Sequence, residues 1–126
     1  MSSYSKPLFF VAAAFNVMVA AALMLGWPLI ERLLQLAPAD GSNGLIVKIA
    51  AVLILTFGYA YFMVGLDPVR YRPYVSLGMI GKLLVVIVAL PVIIAGSQGY
   101  LLAWVAMGDL LFAVLFGLFL RGARHV

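Results

Sequence analysis

Long apolar runs alternate with short polar segments along this chain. Residues from about Leu8 to Gly26, Leu45 to Leu66, Tyr74 to Ile94 and Tyr100 to Leu120 carry almost no charge. A bilayer core about 30 Å thick takes roughly 20 apolar residues of helix, and each of the four runs is of that order. They predict four spanning helices. So little chain is left between them that residues 1–126 read as a single four-span domain.

Breakers and interfacial residues place the ends. Gly26-Trp27-Pro28 closes the first run, because tryptophan favours the headgroup level and proline stops or kinks a helix. Leu29 to Leu36 groups Glu31, Arg32 and Gln35 among leucines, as an interfacial amphipathic turn or a kinked extension of the first helix. Ala37 to Gly44 reads as a loop from its Pro, Asp, Ser, Asn and Gly content. Lys48 is placed near the start of the second span, where its stem can snorkel. Asp67-Pro68-Val69-Arg70-Tyr71-Arg72-Pro73 makes a tight charged connection, and Gly96 to Gly99 a short neutral one.

Polar residues inside the runs are few, and they fall at similar depth. Asn16 and Lys82 are each expected about 12 Å from one end of the bundle, Tyr59 about 10 Å and Asp109 about 16 Å. Consecutive spans joined by the short Gly96–Gly99 loop are antiparallel neighbours, so the Lys82 stem reaches Asp109 across about one helical turn. Gly78 and Gly81 beside the lysine, and Gly108 beside the aspartate, are expected to clear room for a close neighbour or a ligand. Intramembrane charges are costly and mark function by default. Two readings of the layer Asn16, Tyr59, Lys82 and Asp109 stay open: a neutral pair that fixes helix packing, and a polar cavity for a proton, an ion or a small headgroup.

Composition sharpens this picture. Of 126 residues 67% are hydrophobic and 10% charged, with a mean hydropathy of +1.21. The net charge of +4 forms no basic stripe with interleaved aromatics, so nucleic acid is not an expected partner. Lys6, Arg70, Arg72, Arg121 and Arg124 fall on one side of the spans, against Arg32 and Lys48 on the other. The positive-inside rule then puts both termini and the 67–73 loop in the cytoplasm. Arg70, Arg72, Arg121 and Arg124 are also placed to meet anionic lipid. Lys6 ahead of an apolar run resembles a signal peptide, but the run continues through Ala20 to Leu25 without a polar stop, so a retained span is expected.

No cysteine is present, and the single histidine is His125. Thiolate sites are therefore excluded, and an imidazole-built haem or zinc site is not expected. The chain has no serine–histidine, paired-carboxylate or phosphate-loop constellation. The aromatic residues read as packing and interface belt rather than a stacking cage.

A recurring layout runs through nearly the whole chain. Asn16 and Trp27-Pro28 are followed by Phe57-Gly58-Tyr59, then Asp67-Pro68-x-Arg70, Gly78-x-x-Gly81-Lys82 and Gly108-Asp109-Leu110-Leu111-Phe112-Ala113. It resembles small bacterial four-helix membrane proteins broadly similar to the DoxX-like families. That resemblance implies an antiparallel four-helix bundle in a bacterial inner membrane, and no residue here matches an established catalytic position.

Together these readings predict an all-α, integral, multi-pass inner-membrane protein. Its leading role is that of a non-enzymatic accessory subunit or a binder of lipid or a small hydrophobic molecule. Membrane lipid or quinone are the ligands compatible with that role, and a homo-oligomer or larger membrane complex the compatible assemblies. A small proton- or ion-coupled transporter or channel working through Lys82 and Asp109 is the alternative.

Overall fold

The structure is a computed structural model that describes residues 5–36, 41–96 and 99–123. Ala37 to Asp40, Ser97, Gln98, Arg124 and His125 lie outside the described residues. All regular structure among the described residues is helical: α1 Ser5–Leu25, α2 Trp27–Leu33, α3 Gly41–Leu66, α4 Arg72–Ala95, α5 Tyr100–Ala106 and α6 Gly108–Ala123. Four stretches, Ser5–Leu25, Asn43–Leu66, Arg72–Ala95 and Tyr100–Gly122, are long and apolar enough to cross a membrane.

Three boundaries differ from the sequence expectation. Gly41 to Gly44 belongs to α3 rather than to a loop, so Lys48 sits about two turns inside the helix instead of at its start. The segment after Gly26 is a separate short helix, α2, with Pro28 in its first turn and no buried residue. The fourth run is divided at Met107, whose N–H reaches both Ala103 O and Trp104 O, each at 3.1 Å, while Leu110 N–H bonds Met107 O at 3.0 Å. These are bonds of three- and four-residue span, a local tightening at the junction of α5 and α6.

α1 and α3 form the most extensive pairing, and small residues explain why. Ala51, Gly58 and Gly65 recur every seven residues on α3 and are all buried, with Gly58 against Ala13 and Asn16 of α1 and Gly65 against Phe10. Such stripes let two backbones approach closely. A Cβ on Gly58 would lie 3.1 Å from the Asn16 Cβ and 3.4 Å from Ala13 O. The second strong pairing joins α4 to α6 and α5. Arg72 Nη2 donates to Leu120 O at 3.3 Å, linking the start of α4 to the end of α6. The connection between the pairings is a turn shaped by Asp67, whose Oδ1 accepts the Arg70 N–H at 3.1 Å, the local bond that favours Asp in turns.

The two pairs meet through an aromatic core. Phe9 packs at a tilt against Phe116 and meets Phe119 edge-on, with centroids 5.0 Å apart in each case. Tyr61 meets Phe116 at 5.1 Å, and Leu8, Val64 and Val75 complete the buried cluster. All of these lie toward one end of the bundle. At the other end the buried apolar residues among those described are only alanines, namely Ala20, Ala51, Ala89 and Ala103. There α5 has α4 and α6 as its only helix neighbours among the described residues. The molecule therefore has a closed aromatic half and a loosely packed half.

Candidate functional site

Lys82 and Asp109 stand where these halves meet. Lys82 Nζ donates to Asp109 Oδ1 at 2.7 Å, a distance typical of a charge-assisted bond. The two side chains are 6% and 16% exposed. Three ring centroids surround the ammonium: Phe112 at 5.1 Å, Tyr61 at 5.2 Å and Phe15 at 5.5 Å. A desolvated cation gains about 2 kcal/mol from a well-placed aromatic face. The cage also replaces part of the hydration that burial removes. Phe15 comes from α1, Tyr61 from α3, Lys82 from α4, and Phe112 and Asp109 from α6, so one ammonium ties all four long segments together.

Local structure explains how each group reaches the cage. Lys82 continues the inward stripe of Val75 and Gly78 on α4, all buried. Asp109 occupies the first turn of α6, where the helix dipole favours a negative charge. Phe112 follows it one turn later on the same face. Tyr61 is held by a slot in α4, since a Cβ on Gly78 would come within 2.5 Å of Tyr61 Cε1 and 2.8 Å of its hydroxyl. Only glycine leaves that space.

The expected layer is corrected at several positions. Tyr59 lies outside it, 65% exposed on the outer surface, and the buried tyrosine is Tyr61, 1% exposed. The reason is helical phase: Tyr61 shares a face with Phe57 and Val64, whereas Tyr59 aligns with Leu55 and Phe62. Asn16 is buried as expected, but its Nδ2 donates to Ile54 O at 3.0 Å. It joins α1 to α3 and takes no part in the Lys82–Asp109 pair. Gly81 and Gly108 clear less room than Gly78, since a Cβ on either would meet only ordinary contacts, Phe57 at 4.0 Å and Phe15 at 3.8 Å. Arg70 and Arg121 are exposed and available to anionic groups, whereas Arg72 is half-buried and committed to Leu120 O. Sequence reasoning also missed the aromatic cage, although the spacing from Asp109 to Phe112 already put a ring beside the carboxylate.

Chemically, the arrangement holds one neutral pair in an apolar setting. Among the described residues no group of three or more His, Cys, Asp or Glu side chains forms a metal site. Asp109 Oδ2 accepts no hydrogen bond from the described residues, so one carboxylate oxygen remains free. Two apolar grooves lie elsewhere. One of about 520 Å³ runs between α4 and α5, and one of about 890 Å³ between α1 and α3 is bordered by Thr56 and Tyr59. Compared with family models, with curated proteins and with solved structures, the chain matches none of them.

Proposed function

We propose that the chain is a small multi-pass protein of a bacterial inner membrane, built as an antiparallel four-span bundle with both termini cytoplasmic. In this reading it is non-enzymatic and serves as a binder of lipid or another small hydrophobic molecule, alone or as an accessory subunit. The resemblance to DoxX-like proteins belongs to the same proposal. The observation that carries it is the pairing of a self-contained ion pair with long apolar grooves. Lys82 has its carboxylate and three rings, so the bundle spends its one internal cation on holding itself together, and what it presents outward is apolar surface.

Purification in native lipid followed by lipid and small-molecule mass spectrometry tests this reading. A retained apolar ligand or a stoichiometric membrane partner is expected. A monomer that retains neither lipid, quinone nor a partner would defeat it.

The free oxygen of Asp109, beside the divided fourth segment, favours one second reading. In it Lys82 and Asp109 relay a proton or contact an ion in a small transporter or channel, as intramembrane ionisable residues do in pumps and transporters. Flux through proteoliposomes that is unchanged in Asp109→Asn and Lys82→Met would end that reading.

A further inference from the structure

The groove between α1 and α3 carries two hydroxyl-bearing residues, Thr56 and Tyr59, in an otherwise apolar lining. Phe10 and Phe62 close one end, their rings edge-on with centroids 5.6 Å apart. Met18 and Leu55 stand at the other end, about 12 Å further along α1. The Thr56 hydroxyl donates to Val52 O at 2.8 Å, so its proton is committed. The Tyr59 hydroxyl has no hydrogen-bond partner among the described residues. Its depth makes that free donor informative. Tyr59 lies about 10 Å from the end of α3 at Leu66. Long side chains on a helix lean back toward its N-terminus, which carries the hydroxyl toward the level of Thr56, about 5 Å further from that end. In the spanning arrangement proposed above, this is near the middle of a core about 30 Å thick, away from headgroups, ester carbonyls and water. A hydroxyl without a partner there is costly. The α4–α5 groove has no such group, because every residue lining it is apolar.

We infer that the α1–α3 groove binds a neutral, carbonyl-bearing apolar molecule, a lipophilic ketone whose oxygen accepts from the Tyr59 hydroxyl. The inference rests on the hydrophobic-ligand reading above and names its site and chemical class. Val17, Met18 and Leu55 require an apolar body, and the small residues Ala13, Ala14 and Gly58 leave room for it between the helices. The open group is a donor, so the ligand must present an acceptor. A carbonyl does so without bringing into hydrocarbon a donor of its own that needs a partner in turn. A carboxylate or phosphate also accepts, but it would be a net charge in mid-membrane with no cation among the residues lining the groove. A phospholipid ester has the right chemistry at the wrong depth, because its carbonyls are held at the interface.

The test uses the full chain in lipid nanodiscs and an alkylated benzophenone, a ketone that crosslinks to neighbouring C–H bonds on irradiation. Competitors are fluorenone, fluorenol and fluorene bearing the same alkyl chain, flat molecules that differ at one carbon. Saturable crosslinks are expected at Val17, Met18 and Leu55, with the ketone competing about fivefold better than the hydrocarbon, the value of one neutral hydrogen bond. The alcohol should not exceed the ketone. Tyr59→Phe removes only an unpartnered hydroxyl, so the fold should stand and crosslinking persist while the fivefold preference vanishes. Ala14→Leu, at an exposed position on the groove, should weaken competition by ketone and hydrocarbon alike. The preference should be equal in ester-linked and ether-linked phospholipid; one confined to ether-linked lipid would assign Tyr59 to bilayer esters. That outcome, a preference that survives Tyr59→Phe, equal competition by fluorene, a stronger alcohol, or crosslinks concentrated on α4 and α5 would overturn this inference and leave the hydrophobic-ligand reading standing. Absence of any saturable crosslink would remove both.

Discussion

The two halves of the bundle use the same kind of residues to opposite effect. In the aromatic half, large side chains from separate helices fill the centre: Phe9, Tyr61, Phe116 and Phe119 are nearly inaccessible. In the other half the inward stripe of α1 continues from Ala12 and Asn16 to Val19 and Leu23, and that of α4 from Lys82 to Val86 and Ile93. These four positions are only partly buried. Buried alanines persist there on each pair, Ala20 and Ala51 on one and Ala89 and Ala103 on the other, with no larger buried apolar side chain among the described residues. Where lipid tails are as apolar as leucine, greasy composition alone does not bring helices together. Shape and polar links do, and the shape-specific and polar contacts are concentrated at one end.

The sharpest way to break this contrast is to orphan one charge. Lys82→Met or Asp109→Asn should each destabilise the protein by about 3–5 kcal/mol, and Lys82→Met/Asp109→Asn should recover most of the loss. Unfolding in mixed detergent micelles reads this out. Phe116→Ala should follow at about 3 kcal/mol, the lower end for a buried ring, because the exposed surface meets lipid rather than water. Next comes Gly78→Ala, at about 1–3 kcal/mol, because its methyl group would collide with a ring that has nowhere to move. By the same assay Gly81→Ala should stay within about 0.5 kcal/mol, since its methyl would meet only Phe57, at an ordinary 4.0 Å.

The lack of cysteine provides a finer test of the same contrast. Single variants Val75→Cys and Val86→Cys place a thiol on one face of α4, the first in the packed half and the second in the loose half. A membrane-permeant thiol reagent should label position 86 about tenfold faster or more, because reactivity follows access. Equal rates would mean that the two halves are equally closed.

Much of this was legible in the chain. Four helices long and apolar enough to cross a membrane follow from run length, and the meeting of Lys82 with Asp109 follows from helical rise. The heptad Ala51, Gly58, Gly65 was readable too, since such spacing is a packing signal. What the sequence could not decide was phase on an all-apolar helix. Tyr59 and Tyr61 are two residues apart in a stretch with hardly any amphipathicity, so no polar face shows which of them turns inward. Tertiary partners decide it: the space above Gly78 admits Tyr61. The break at Met107 was ambiguous, because Gly108 beside it reads equally well as a small packing residue and no proline marks a kink.

That break bears on how the molecule would sit in bilayers of different thickness. A span that is one rigid rod answers a mismatch by tilting as a whole, and every group on it changes depth. Here α5 is seven residues long, and among the described residues its only helix neighbours are α4 and α6. If the tightened turn at Met107 yields, about 10 Å of helix reorients there while the rest of the span keeps its tilt. Thinning or thickening of the leaflet around α5 would then be absorbed on the α5 side of Met107. The carboxylate in the first turn of α6, anchored by an ammonium among three rings, would keep its depth.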